Sequence, residues 1–116
     1  MAKAKAYYRR KADRLMQEWG RANFEHCEVC GSPISCLHHY FPKSMAGVLR
    51  YNKDNLIPIC QGCHFRHHNG SPEIHNKINE LRGKEWLDKL TIAKREFIKC
   101  DTIGYYKEII KRYEEI

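Results

Sequence analysis

The sequence has no long apolar run, and no stretch after the N-terminus is suited to be a signal peptide or a membrane span. It also has no internal repeat, no low-complexity segment and no obvious linker. Because 116 residues are too few for two ordinary cores, we expect one small domain. We also expect an intracellular, cytoplasmic protein.

The middle of the chain has few apolar residues at regular spacing and is rich in Cys, His, Gly and Asn. Such a segment buries little apolar surface, so we expect it to need a cross-link. The chain contains six cysteines. In a reducing compartment, paired C-x-x-C spacings are typical of metal ligands and less so of disulfides.

Four of the cysteines form two such pairs, and they predict a structural zinc site. The pairs are Cys27 with Cys30 and Cys60 with Cys63. Four thiolates complete a tetrahedral zinc shell, and Gly31 and Gly62 offer the turns that would aim the sulfurs at one ion. Disulfides or a redox pair are the alternatives. Of the two remaining cysteines, Cys36 is interpreted as a packing residue or an alternative ligand, and Cys100 as a small buried residue.

The positive charge is concentrated at one end of the chain. The formal net charge is +7, and the first 22 residues hold seven basic side chains against two acidic ones. Tyr8, Ala12, Leu15 and Trp19 recur there at helical spacing, which predicts a basic amphipathic helix over residues 1–23. This helix is interpreted as a packing element, a phosphate-contacting surface, or both.

Glycines and prolines divide residues 24–70 into short pieces. Residues 34–40 and 55–59 predict two extended segments, and residues 64–68 a short helix closed by Asn69 and Gly70.

The remaining residues, 71–116, are predicted to be helical. Ser71 is expected as an N-cap, with Pro72 at the first helical position. Ile74, Ile78 and Leu81 predict the buried face of a first helix, which bends at Gly83. Apolar residues from Trp86 to Phe97 continue at helical spacing. A last helix is capped by Asp101 or Thr102 and has Tyr106, Ile109, Ile110 and Tyr113 on one face.

Five of the seven histidines lie within or just after the loop between the cysteine pairs. If His38 and His39 are on a strand, they face opposite sides, so one can bind a metal while the other faces a substrate water. His64 and His68 are four residues apart and would share one face of a helix, which suits two ligands of one ion. The alternative for each histidine is a structural role, and His26 and His75 are interpreted as ordinary polar residues.

The spacing of these residues resembles a known family. Two adjacent histidines are followed by Asn55 sixteen residues after the second, and by H-x-x-x-H nine residues later. This pattern resembles the HNH (ββα-metal, His-Me finger) endonucleases, and the C-x-x-C pairs resemble their zinc-stapled, four-cysteine branch. Residues 49–55 with the following C-x-x-C also resemble phage recombination proteins of the NinG type. The resemblance covers residues 27–70, less than half of the chain.

The resemblance implies a fold and a set of roles. The fold is α+β, with a zinc-stapled ββα-metal core in residues 24–70 between the N-terminal helix and the C-terminal helices. The roles are general base for His39, catalytic-ion ligands for His38, His64 and His68, and a loop-holding role for Asn55. His67 remains an alternative to His68, and family members more often carry Asp where His38 stands.

The chemistry of phosphodiester hydrolysis agrees with these roles, because it needs a base that titrates near neutral pH and a cation at the scissile phosphate. An imidazole shell favours Zn, Ni, Mn or Co over Mg, so the working ion stays open among the divalent metals. The residues interpreted as contacting nucleic acid are Lys5, Arg9, Arg10, Arg50, Lys53 and Arg66. Each of them has a solvated side chain as its alternative.

The first functional hypothesis is a metal-dependent DNA endonuclease, acting in phage DNA recombination or processing within a bacterial host. The second is a non-catalytic zinc module that binds nucleic acid or a recombination partner. An RNA nuclease with the same site is a third. The partner is expected to be DNA, and the oligomeric state, a dimer included, stays open.

Overall fold

The computed structural model describes residues 2–43, 47–96 and 99–115. Within them lie five α-helices and two strands: α1 (Ala2–Asn23), β1 (Cys36–His39), β2 (Leu56–Ile59), α2 (Gln61–His68), α3 (Glu73–Arg82), α4 (Lys84–Lys94) and α5 (Ile103–Glu114). The expected α+β class with a ββα core between helical flanks is confirmed. None of the described helices is both long and apolar enough to cross a membrane.

The two strands form an antiparallel pair, and each face of this small sheet packs against a different apolar cluster. Leu37 pairs with Pro58, and His38 pairs with Ile57. Since side chains alternate along a strand, Leu37 and Leu56 face α1 and α5, whereas Ile57 and Ile59 face the cysteines and the helices α3 and α4. The sheet therefore separates two apolar clusters.

Polar contacts attach α3 and α4 to the cysteine-rich segment. Arg82 donates to both carboxylate oxygens of Glu28 at 2.7 Å, and Trp86 Nε1 donates to the carbonyl oxygen of Asp54 at 2.8 Å. Tyr40 OH donates to Asn79 Oδ1 at 2.5 Å. These bonds connect α3 and α4 to the first cysteine pair, to the residue after β1 and to the segment before β2.

Helix α1 packs against β1 at Gly20, which is buried. A β-carbon at this position would overlap the side chain of Leu37, itself only 3% exposed. Nearby, Gln17 donates to the carbonyl oxygen of Leu37 at 3.1 Å and accepts from its amide at 2.8 Å. The close approach of helix and strand thus depends on the absence of a side chain at Gly20.

We therefore expect Gly20→Ala to lower the free energy of unfolding by about 1–2 kcal/mol, because overpacking outweighs the gain in helix propensity. Gly104→Ala is the matched control, since a β-carbon at Gly104 in α5 meets nothing within 4 Å. That control should be neutral or stabilising by up to about 1 kcal/mol. Urea unfolding of both variants measures the difference, and equal effects would contradict the packing argument.

Several local expectations need correction. Helix α2 begins at Gln61, ahead of the expected start at His64. Ser71 does not cap α3, because the helix begins at Glu73 with Pro72 in the N-cap position and no side-chain hydrogen bond. Leu81 is 52% exposed and is not part of a buried stripe.

Other expectations about the C-terminal helices are confirmed. Gly70 and Gly83 both have φ +87°, so Gly83 ends α3 before α4 starts. Thr102 caps α5 by accepting from the amide of Tyr105 at 3.1 Å. The four aromatic and aliphatic residues expected on one face of α5 are all buried. Phe97 lies outside the described residues.

Candidate metal centre and histidine cleft

The four paired cysteines converge on one point. One sulfur from each of Cys27, Cys30, Cys60 and Cys63 lies within 4.8 Å of the other three. Cys30 Sγ and Cys60 Sγ are 3.5 Å apart, which excludes a disulfide and is close to the edge of ~3.8 Å expected for a tetrahedron of sulfurs around zinc. All six cysteines of the chain are free thiols. The donor set therefore fits a structural zinc ion, as expected.

The local backbone differs between the two cysteine pairs. After the first pair, Gly31 turns the chain at φ +79°, and its amide donates to the carbonyl oxygen of Cys27 at 2.9 Å. At the second pair, Cys60 is the N-cap of α2, and its sulfur accepts from the amide of Cys63 at 3.4 Å. Gly62 lies within α2 and has no positive φ, so the second pair uses a helix start where we expected a glycine turn.

The surroundings of the sulfurs act on Cys30 and Cys63 in opposite directions. A hydrogen bond from the Ser32 hydroxyl is the main reason why the pKa of Cys30 is lowered to about 6. Burial raises the pKa of the Cys63 thiol to about 12, so its thiolate needs a compensating positive charge. Arg66 provides part of that charge, since its guanidinium lies 3.1 Å from Cys63 Sγ.

Histidines make up half of the residues that line a cleft of about 450 Å³. Its walls come from β1, α1, the segment after β1 and α2, and they include His38, His39, His64, His67, His68, Gln17 and Lys43. The two neighbouring strand residues turn to opposite sides. His38 contacts the rings of α2 and α3, whereas His39 contacts the loop that leads to β2.

The His39 ring has a defined tautomer. Its Nε2 lies 2.8 Å from the carbonyl oxygen of Arg50. A carbonyl oxygen only accepts, so Nε2 must carry the proton, and the lone pair of a neutral ring is then on Nδ1. Burial lowers the pKa of His39 below its usual value. The ring is therefore neutral at pH 7 and able to accept a proton.

The carbonyl that orients His39 is itself held in place. Arg50 donates to both oxygens of Asp13 in α1, at 2.9 and 2.6 Å. Tyr51 OH donates to the same carboxylate at 2.8 Å. This bidentate ion pair fixes the loop against α1. It also occupies the guanidinium of Arg50, which we interpreted as a phosphate contact.

Asn55 is fully buried and holds both ends of the same loop. Its Oδ1 accepts from the amide of Phe41 at 2.8 Å. Its Nδ2 donates to the carbonyl oxygens of Phe41 and Leu49, at 3.1 and 3.2 Å. The amide side chain thus connects two backbone segments that form no strand pairing with each other. It does not contact His39 directly, and it influences the position of that ring only by holding the loop.

We expect Asn55→Ala to lower the free energy of unfolding by about 3 kcal/mol, because three backbone groups, one buried and two partly buried, lose their partner. Asn52→Ala is the control, since Asn52 accepts a single bond from the amide of Asp54 at 2.9 Å. It should cost about 1 kcal/mol. Denaturant unfolding at saturating zinc measures both, and similar losses would show that Asn55 does not clamp the loop.

Three histidines come together on the other side of β1. One ring nitrogen from each of His38, His67 and His75 lies within 4.8 Å of the other two. The buried atoms His38 Nε2, His67 Nδ1 and His75 Nε2 have no hydrogen-bond partner within residues 2–43, 47–96 and 99–115. Burial, with a contribution from His67, lowers the pKa of His38 to about 3. Neutral imidazole nitrogens suit a divalent ion, but the rings of His67 and His75 stack at 4.5 Å and 18°, so their nitrogens do not aim at one point.

The two histidines that the resemblance implies as further ligands are arranged differently. His64 Nε2 and His68 Nε2 lie 2.9 Å apart, and His64 Nδ1 lies 3.6 Å from Cys36 Sγ. The ring centroids of His64 and His68 lie 5.2 and 6.4 Å from that of His38. Both rings line the same cleft as His38, but they bond to each other.

The basic residues that we interpreted as contacting nucleic acid have varied surroundings. Lys5 pairs with Asp101 at 3.0 Å, Lys53 Nζ lies 4.6 Å from the Trp19 ring centroid, and Arg66 faces Cys63. Arg10 is exposed and Arg9 is partly exposed.

Sequence reasoning missed three residues of this region: Lys43 at the cleft, Asp13 behind the His39 loop, and His75. A charged side chain within a helix carries no distinctive signal, which explains Asp13. His75 was interpreted as an ordinary polar residue because no spacing rule connects it with α2. One pattern was present, since His75 and Asn79 are four residues apart and share a helix face beside Tyr40.

Comparison with known proteins identifies part of the chain. Residues 27–70 match the family model described as HNH endonuclease. The mitochondrial DNA mismatch repair protein mutS homolog of Sarcophyton glaucum is 34% identical to this chain over 77 residues. This alignment covers 56% of the chain but only 8% of that protein. No solved structure matches the chain.

The family match and the site geometry coincide, because the matched segment contains all four converging cysteines and the two strands. The chain thus carries, across residues 27–70, an HNH endonuclease domain whose four cysteines are positioned to bind a metal ion, in agreement with the zinc-stapled branch of that family.

Proposed function

We propose that the chain is a metal-dependent DNA endonuclease in which His39 is the general base. The observation that carries the proposal is the hydrogen bond from His39 Nε2 to the carbonyl oxygen of Arg50, which leaves Nδ1 as a proton acceptor in a cleft. A base of this kind needs to be neutral and oriented before the substrate arrives. DNA is favoured as the substrate by the similarity to a DNA mismatch repair protein.

The proposed reaction is hydrolysis of a phosphodiester. A water oxygen attacks phosphorus while His39 Nδ1 takes the water proton, and the bond from phosphorus to the 3' oxygen breaks. The products are a 5'-phosphate and a 3'-hydroxyl, whose oxygen takes up a proton from solvent. His38, His64 and His68 would hold a divalent ion, which would supply positive charge to offset the charge developing at the phosphate.

The chain's own residues organise this step. Asp13 holds Arg50, the carbonyl oxygen of Arg50 orients His39, and Asn55 holds the loop. Lys43 lines the cleft and is the largest charge contribution to the lowered pKa of His39. Positive charge at this place suits a polyanionic substrate. Arg10 is exposed on α1 and is available for a phosphate contact.

A cleavage panel tests the proposal. Linear duplex, single-stranded and branched DNA, together with RNA, are incubated with the zinc-loaded chain and with Mn²⁺, Ni²⁺, Mg²⁺ or Zn²⁺. Cleavage of at least one DNA form that depends on the added ion supports the proposal, and preference for a branched form would favour a role in recombination. Cleavage of RNA alone would show that the substrate is RNA and not DNA. If no nucleic acid is cleaved with any ion, the proposal that the chain is a nuclease is wrong.

A further inference from the structure

Helix α1 has one exposed, strongly basic face. Its members recur every three or four residues, which places them in one line along the helix, and we call them the α1 stripe: Lys3, Tyr7, Arg10, Arg14, Gln17 and Arg21. Five of these six side chains are exposed, and Gln17 is partly buried. All six can donate hydrogen bonds to phosphate oxygens, and none is acidic.

Packing fixes which side of α1 faces solvent. The apolar residues on the opposite side of the helix are buried against α5. Two lysines outside the stripe are paired with acidic residues near or on α5, since Lys5 lies 3.0 Å from Asp101 and Lys11 lies 3.9 Å from Glu114. The α1 stripe therefore lies on the free side of the helix, and Lys5 is not part of it.

The charges of the α1 stripe are poorly balanced by acidic side chains. Arg14 pairs with Glu18 at 3.7 Å, but the two side chains are 60% and 50% exposed, so this pair is weak. Within residues 2–43, 47–96 and 99–115, no acidic side chain forms an ion pair with Lys3, Arg10 or Arg21. A helix face that is only solvated typically alternates charges of both signs, and the stripe does not.

The α1 stripe is continuous with the histidine cleft. Gln17 lines the cleft, and its amide exchanges two hydrogen bonds with the backbone of Leu37 on β1. Arg14 and Arg21 lie about one helical turn before and after Gln17. Lys43 lines another wall, and none of the described residues that line the cleft is acidic. Positive side chains thus stand on both sides of the histidines.

The dimensions and chemistry of the stripe suit the backbone of a nucleic acid. From Lys3 to Arg21 the helix rises about 27 Å, which is the length of roughly eight base pairs of duplex DNA. A membrane surface is less suitable, because a helix that binds lipid inserts its apolar face, and the apolar face of α1 is packed on α5.

We propose that the α1 stripe binds the phosphate backbone of the DNA substrate and leads it to the histidine cleft at Gln17. The proposal rests on the proposed nuclease function only for the identity of the polyanion. It makes Lys3, Arg14 and Arg21 phosphate contacts together with Arg10. The N-terminal helix is then part of the substrate-binding surface, although it lies outside residues 27–70.

The salt dependence of DNA binding tests the α1 stripe. Fluorescence anisotropy of a labelled duplex is measured with the full, zinc-loaded chain at about 50–200 mM salt, without any added divalent ion. The stripe variant replaces its four basic residues by glutamine: Lys3→Gln, Arg10→Gln, Arg14→Gln and Arg21→Gln. The slope of log K against log salt concentration should become shallower by about 3–4, because each phosphate contact contributes about 0.9.

The matched control removes the same charge from other helices. It replaces four exposed lysines of α3, α4 and α5 by glutamine: Lys77, Lys84, Lys89 and Lys111. Both variants have a formal net charge of +3, which is +7 minus 4. The slope of the control should differ from that of the wild type by less than about 1.

Circular dichroism checks that the variants fold. If the stripe variant does not fold, the double variant Arg10→Gln, Arg21→Gln replaces it and should make the slope shallower by about 1.8. Its matched control is the double variant Lys77→Gln, Lys89→Gln.

The outcomes separate this proposal from the nuclease proposal. A slope that becomes shallower only in the stripe variant supports the binding surface even if no DNA is cleaved, in which case only the nuclease proposal fails. The surface is wrong if the stripe variant keeps the wild-type slope, if both variants change equally, or if the wild type does not bind DNA. It is also wrong if the stripe variant loses binding to phosphatidylserine vesicles while its DNA binding is unchanged.

Discussion

Replacing His39 by alanine is expected to lower the single-turnover rate of DNA cleavage by about 10²–10⁴-fold, the contribution typical of a positioned general base. The reason is that Nδ1 of this ring is the proton acceptor left when Nε2 donates to the carbonyl oxygen of Arg50. DNA binding should stay nearly unchanged, because the neutral ring contributes no charge to phosphate contacts. Rate and affinity are measured separately, by quenched-time cleavage and by fluorescence anisotropy.

Two further variants control for indirect effects. His39→Gln keeps an N–H group for the carbonyl of Arg50 but offers no comparable base, so it should be as inactive as the alanine variant. His26→Ala removes an exposed histidine outside the cleft and should cleave at the wild-type rate. If both His39 variants cleave at the wild-type rate, the assignment of His39 as the base is wrong. If the wild type binds DNA but does not cleave it, a non-catalytic, nucleic-acid-binding module is favoured.

Loss of the cysteine-bound zinc is expected to unfold the centre of the protein. Structural zinc contributes about 10–16 kcal/mol to the folding of small zinc domains, which equals or exceeds the total stability of about 5–15 kcal/mol usual for a domain. Cys63→Ser removes a fully buried ligand. Because α2 carries Cys63 as well as three of the cleft histidines, unfolding there should also abolish cleavage.

Native mass spectrometry and hydrogen exchange measure this effect. The wild type should hold one zinc ion before any further divalent ion is added, and Cys63→Ser should lose it together with the protection of amides in residues 27–70. Cys100→Ser is the matched control, since Cys100 lies outside the four-sulfur cluster. If Cys63→Ser keeps its zinc and its protected amides, the structural role of the site is wrong.

Local features of the fold were predictable because they depend on residues close together in the chain. The C-x-x-C spacing allows two sulfurs to reach one ion whatever surrounds them. Alternation along a strand made it possible to expect His38 and His39 on opposite faces. Gly83 and Thr102 ended and began helices as their backbone and capping preferences predict. The start of α3 was predicted less well, because Pro72 fits more than one position at a helix start.

The sequence by itself determined the four-cysteine set, the α+β class and the presence of a histidine-rich motif between the cysteine pairs. Only the tertiary structure decided which side chains meet across elements. Packing of α3 against β1 places His75 beside His38 and His67, and packing of α1 engages Arg50 with Asp13. The spacing of residues predicts which side chains share a face of one helix or strand. The contacts named here form between separate elements, and residue spacing does not predict how those elements pack together.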